Sequence, residues 1–172
     1  GDPLALQEHF GKFGGELAEY ANEVTETWLA AVQNQEPCEV AFAKLFLGPF
    51  ETMASPYAST YLDPAQKLMG QVSQYALDAY AAAGLEQVGK VREIPDHIGI
   101  ELEFMYYLAF EISETGNEAL LAIKERFWRE HLGLWMPKFA ALMQDANQHP
   151  FYNALAKLID CFACSTDRKS VV

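Results

Sequence analysis

Apolar residues recur at helical spacing from the first third of the chain onward. Leu17, Tyr20, Val24, Trp28 and Val32 fall three or four apart within residues 16–32, which places them on one helix face. Gly14-Gly15 separates this segment from a shorter amphipathic piece around Phe10 and Phe13. Pro37 suits the first position of a second helix, which continues through residues 40–47 to a stop at Gly48-Pro49. Residues 48–63 hold Pro49, Ser55-Pro56 and, at the exit, Asp63-Pro64, and read as an ordered loop. Asp63 is the expected cap of the next helix, with Pro64 at its first position and Gly84 at its end. Leu68, Met69, Val72, Tyr75, Ala76, Ala79 and Tyr80 form its expected core stripe. A polar linker covers residues 85–94.

The second half continues in the same way. A helix is expected from Pro95 to Ser113, ending near Gly116, and another capped by Asn117 that reaches Leu132 and stops at Gly133. A further one covers residues 134–146. His149-Pro150 then opens a last helix bearing Phe151, Leu155, Leu158, Ile159 and Phe162, before a loose polar tail from Ser165. One stretch competes with helix: Ile98, Ile100, Leu102 and Phe104 alternate with Gly99, Glu101 and Glu103, as in a strand. Pro95 at a helix start, apolar residues running on through Leu108 to Ile112, and the lack of a hairpin partner favour helix. Apolar side chains on nearly every side of residues 104–110 predict a central, buried helix. The expected fold class is all-α, about eight helices in a single domain over residues 1–172, with a possible hinge around 85–97.

Composition narrows the function. A chain of 172 residues, half of them apolar, can bury about 70% of its unfolded surface without disulfides or metals. No window approaches the roughly 20 apolar residues of a membrane span, and Gly1-Asp2-Pro3 lacks the basic-then-apolar layout of a secretory signal. Cys38, Cys161 and Cys164 are too few for a disulfide framework and fit a reducing cytoplasm. Cys161 and Cys164 form a CxxC, but a zinc site wants a second pair and a thioredoxin site a βαβ context, so both read as ordinary helix cysteines. The net charge of −12 repels phosphate backbones and anionic lipid, making nucleic acid and membrane poor partners and a basic peptide a good one.

Two segments could carry function. Asp96, His97 and Glu101 are the densest polar cluster; on a helix His97 and Glu101 share a face, with Asp96 beside them in the first turn. No second ligand pair, nucleophile motif or phosphate loop accompanies them, so no metal, cofactor or catalytic residue is expected. The bland account makes Asp96 a favourable charge at a helix start and His97 a half-buried hydrogen-bonding residue. His131 reads as a cation at a helix C-terminus. The second segment is the loop at residues 55–62, where Tyr57 and Tyr61 offer rigid amphipathic contact area, or else plug the loop onto the core.

Five separated segments resemble, in order, motifs of the TorD/DmsD/NarJ family. Phe42-Ala43-Lys44-Leu45-Phe46-Leu47-Gly48-Pro49 is similar to its LFxGP helix end, and residues 55–62 to its PPYxSxYL segment. Ile94-Pro95-Asp96-His97 with Glu101-Leu102-Glu103-Phe104-Met105 resembles its E(P)xDHxxxELxFM signature, residues 127–135 its FxxxHLxxW, and residues 151–156 its FYxxLA. Ile94 stands where an acidic residue is usual, with Glu93 one place earlier, and Pro56 is single where a pair is common. The resemblance implies an all-helical cytoplasmic chaperone, not an enzyme. Such a chaperone holds a molybdenum-containing oxidoreductase subunit before cofactor insertion and binds its twin-arginine leader until export. It implies a peptide site at Tyr57, Ser59, Tyr61, Pro95, Asp96, His97 and Glu101. There Asp96 would pair with arginine or fix the hinge, His97 would bond peptide backbone, Glu101 would add negative potential and the tyrosines would hold the apolar stretch. It also implies a monomer or a homodimer exchanging halves through the 85–94 linker. The alternatives are a NarJ-like assembly chaperone for a non-exported subunit and a small helical metalloenzyme centred on His97 and Glu101.

Overall fold

The computed structural model describes residues 14–47, 52–85 and 93–169, and among these every regular element is helical. The elements are α1 (Glu16–Gln33), α2 (Cys38–Phe46), α3 (Ser59–Leu62), α4 (Gln71–Ala82), α5 (Ile98–Thr115), α6 (Glu118–Phe127), α7 (Gly133–Ala146) and α8 (Pro150–Lys169), with a π-helical turn at Trp128–Leu132. The fold is all-α. The alternating stretch at 98–104 forms the first turns of α5. Among the described residues no helix is long and apolar enough to cross a membrane. The piece around Phe10 and Phe13, Gly48-Pro49 and linker positions 86–92 lie outside the described residues. Two compact units divide the chain: residues 1–55 with 137–172, and residues 56–136.

In the first unit α1 packs antiparallel along α8 around Ala21, Val24, Ala154 and Leu158, with Leu17, Tyr20, Phe151 and Leu155 flanking. Small alanines on both faces let the helices approach closely. Each larger apolar side chain removed from water contributes roughly 1.5–3 kcal/mol, well above the roughly 0–1 kcal/mol of the half-exposed Lys157–Glu23 ion pair at 2.6 Å. Trp28 meets Phe151 at 5.0 Å between ring centroids, in the first turn of α8. The last turn of α1 therefore projects past its partner, and Val32, expected in the stripe, is 54% exposed. The tail expected to be loose from Ser165 is helical to Lys169, and within it the hydroxyls of Ser165 and Thr166 donate back to the Phe162 carbonyl at 2.8 and 3.0 Å.

The second unit departs from expectation in three places. First, α4 starts at Gln71, not at Pro64. Asp63 does cap, but it caps a turn: its carboxylate accepts the N–H groups of Ala65 and Lys67 at 2.8 and 3.4 Å. Gln66 and Met69 take left-handed φ of 50° and 57°, which a helix cannot contain. Leu68 and Met69 are consequently 45% and 63% exposed instead of core. Second, α5 is buried on one side only. Phe104 and Leu108 are buried with Glu101, while Tyr106 and Phe110 are 71% and 51% exposed. Gly116, at φ 63°, ends this helix as expected, and the Asn117 side chain caps α6 by accepting from Ala119 and Leu120.

Third, Gly133 stops nothing. Its backbone is right-handed at φ −64°, and the helical run passes through it from the π-turn into α7. Glycine is needed there for room. A Cβ would stand 2.8 Å from the Trp128 carbonyl oxygen and 3.1 Å from the Trp128 indole. Gly133→Ala is therefore expected to destabilise by about 1–3 kcal/mol despite alanine's better helix propensity. Urea unfolding checks this, and an unchanged midpoint would contradict it.

Candidate functional site

Residues 56–58 and 96–98 run antiparallel and close the site with backbone bonds. Ala58 N–H donates to the Asp96 carbonyl at 2.9 Å and Ile98 N–H to the Pro56 carbonyl at 2.8 Å. Tyr57 and His97 form the pair between these bonds, an isolated antiparallel bridge. Opposed residues that do not bond each other bring their side chains close. The two rings meet edge-on at 5.3 Å. His97 sits at the N-cap of α5 with extended backbone, and its Nδ1 accepts the Gly99 N–H at 3.1 Å. Nε2 is then the hydrogen-bearing nitrogen of the neutral ring. Tyr57 donates its hydroxyl to Glu93 at 2.9 Å; burial first, and this carboxylate second, push its pKa up to about 12.

Beneath this surface Asp96 is fully buried. One carboxylate oxygen accepts the Ser59 N–H at the start of α3, and the other accepts the Ser73 hydroxyl of α4, each at 2.8 Å. Tyr80, two turns along α4 from Ser73, donates to the Pro95 carbonyl at 2.8 Å. One face of α4 thus holds the Pro95-Asp96 segment, and Asp96 in turn holds the tyrosine loop. The Ser59 hydroxyl is buried with no hydrogen-bond partner among the described residues.

A second buried network lies one turn further along α5. Glu101 is fully buried, with one oxygen 2.6 Å from His131 Nε2 and the other accepting the Trp135 indole N–H at 2.9 Å. Tyr75 of α4 stacks on the His131 ring at 5.1 Å and 15°. Trp135 stacks on Tyr61 at 5.3 Å and 26°, so the network reaches the loop. Burial pushes the Glu101 carboxyl above its ordinary range, against the opposing pull of His131 and Trp135. The π-turn carries His131, and single-turn π elements are frequent at functional sites.

The expected site residues thus separate into two kinds. Tyr57, Tyr61 and His97 are partly exposed, Tyr57 and His97 paired across the bridge and Tyr61 stacked on buried Trp135, while Ser59, Pro95, Asp96 and Glu101 are buried. Asp96 and Glu101 therefore present no carboxylate to a peptide in this conformation. His97 and Glu101 do not share a helix face, because His97 precedes the helix. His131 is not a terminal cation either: it is 2% exposed inside a continuous helical run. Sequence reasoning missed Ser73 and Tyr80 as anchors of Asp96 and Pro95, and His131 and Trp135 as partners of Glu101. The spacing of His131 and Trp135, four apart, was the available signal. Where the loop ends, Leu62, Asp63, Pro64, Lys67, Gly70, Gln71 and Val72 line an open cavity of about 390 Å³. Among the described residues no group of three His, Cys, Asp or Glu side chains is placed to hold a metal.

The profile of the nitrate reductase delta subunit family matches residues 4–141. The chaperone protein TorD of Aliivibrio fischeri is 31% identical over 155 residues, 86% of this chain and 72% of that protein. The TorD of Aliivibrio salmonicida is 30% identical over 144 residues, 79% of this chain and 67% of that protein. In a Psychrobacter species the TorD chaperone is 35% identical over 105 residues, 60% of this chain and 48% of that protein. With a matched profile over most of its length and relatives of this kind, the chain belongs to the family of the nitrate reductase delta subunit and the TorD chaperones.

Proposed function

We propose that this protein is a maturation chaperone for a molybdenum-containing oxidoreductase, acting in the cytoplasm by binding and not by catalysis. It captures the leader peptide of the immature catalytic subunit and releases it once the subunit is complete. The observation that carries this reading is the Tyr57–His97 surface: aromatic rings and an imidazole N–H donor, partly exposed, on backbone immobilised by Asp96 and by two cross-strand bonds. Pre-ordered aromatic area binds at small entropic cost. Exposed Glu93 beside Tyr57, and the net charge of −12, favour a cationic peptide front.

The test is a titration of a synthetic leader, with an arginine pair followed by a leucine-rich stretch, into the intact chain. His97→Ala and Tyr57→Ala are each expected to weaken binding about tenfold, or about 1.4 kcal/mol, with circular dichroism unchanged and, for His97→Ala, stability lowered by about 1 kcal/mol because α5 loses its cap. Affinity that survives both substitutions would remove this surface from the site. The profile match to a nitrate reductase subunit family favours one variant reading, in which the partner is a non-exported subunit held independently of a leader. Pull-down of that subunit with and without its leader separates the two.

A further inference from the structure

Cys161 and Cys164 play no part in the surface described above. They lie three residues apart on α8, so their side chains share a face. Both line one open cavity of about 340 Å³ in the first unit, together with Glu16, Leu17, Tyr20, Lys157 and Asp160. Neither is in a disulfide, and Cys164 is exposed. Helical spacing decides between the two things such a pair could do. Side chains three apart on a helix have Cβ atoms about 5–6 Å apart, whereas a disulfide needs about 3.8 Å. Closing the bond would require breaking the helix locally. An ion with metal–sulfur bonds of about 2.3 Å each holds two sulfurs up to about 4.6 Å apart, which accommodates the wider Cβ spacing.

We propose that Cys161 and Cys164 form a two-thiolate site for a soft monovalent metal ion of the copper(I) class. Thiolate sulfur selects soft ions over hard ones. Among the described residues no third ligand is placed to complete a zinc or iron tetrahedron, while copper(I) accepts two thiolates alone. Binding releases one proton from each thiol and leaves a complex of charge −1. The Lys157 ammonium, one turn before Cys161, lines the same cavity but is already paired with Glu23, so it leaves that charge uncompensated. The carboxylates of Glu16 and Asp160, hard oxygen donors, raise the local cation concentration without competing for a soft ion.

The test is an anaerobic competition of the reduced chain for copper(I) against the chromophoric chelator bicinchoninate. The chain should retain one equivalent; Cys161→Ser and Cys164→Ser should each lose it; Cys38→Ser should keep it. Cys38 Sγ lies against His149, away from the pair, at 3.8 Å, and serves as the control. Melting curves of the serine variants should match that of the parent chain. Retention by either single variant, loss in the Cys38 variant, or no retention by the parent chain would each overturn the proposal. So would a Cys161–Cys164 disulfide formed readily on exposure to glutathione disulfide, since it would show that the thiols approach more closely than the helix allows.

Discussion

Glu101→Ala is expected to lower the stability of the chain by about 3–5 kcal/mol, from two buried groups left without their partner at about 1–3 kcal/mol each and the cavity left behind, which at this size is a melting shift of roughly 10 °C. The alanine leaves the His131 ring nitrogen and the Trp135 indole N–H without their buried acceptor, and opens a cavity beside the tightly stacked Tyr75 and Tyr61 rings. Glu101→Gln keeps the volume and the bond from Trp135, so it is expected to cost less than half as much. The two variants also separate charge from shape through pH. Burial raises the Glu101 pKa in the folded chain. Between the ordinary glutamate value, about 4.3, and that raised value the folded chain binds more protons than the unfolded one. Its stability contribution from Glu101 is therefore complete below this window and lost as pH rises through it. The stability gap between the parent chain and Glu101→Gln should accordingly narrow as pH rises. Melting temperatures of both, measured in parallel across pH, check the sign. A gap that widens with pH would mean that the charged pair with His131 outweighs desolvation.

Asp96→Ala is the second large effect, and it separates holding the loop from touching the peptide. Its carboxylate receives two hydrogen bonds, one from a backbone N–H at the start of α3 and one from a buried hydroxyl. Bonds to a charged group are worth about 1.5–3 kcal/mol each, and the alanine leaves both donors buried and unpaired. A loss of about 3 kcal/mol is expected, with hydrogen exchange at the Ser59 and Ala58 amides rising well beyond that elsewhere in residues 56–136. Asp96→Asn retains an acceptor for Ser59, and the Ser73 hydroxyl can turn to accept from the new amide, so it should cost under about 1.5 kcal/mol. If asparagine were as damaging as alanine, the charge itself, and not the loop fastening, would be what Asp96 provides.

Much of the fold could be read from local chemistry. Asn117 with Gly116, Gly84 after α4, and His149-Pro150 before α8 each mark a boundary that the structure keeps, because a cap or a left-handed residue acts on its own neighbours. The misread boundaries depend on something distant or ambiguous. Asp63 caps a turn as readily as a helix, and nothing in the residues Gln66 and Met69 announces left-handed backbone. Gly133 is a spacer for the Trp128 indole, a packing demand that looks the same in sequence as a helix stop. At the site, the cluster of Asp96, His97 and Glu101 was visible, but its division of labour was not. His97 falls one residue outside the helix, so the register argument pairing it with Glu101 fails, and the true partners of Glu101 lie 30 and 34 residues away. The exposed Tyr106 and Phe110 show the limit from the other side: an apolar run predicts burial only where a neighbouring element arrives to cover it.

The central claim, capture of a cationic leader on the Tyr57–His97 surface, is tested most directly by calorimetric titration at low and moderate salt. Two leader peptides suffice, one with its arginine pair intact and one with both arginines replaced by glutamine. The account predicts roughly micromolar binding of the first, about −8 kcal/mol. It should weaken as salt rises, and weaken strongly in the glutamine peptide. Equal affinity for both peptides, or no heat from either at high micromolar concentration, would contradict it.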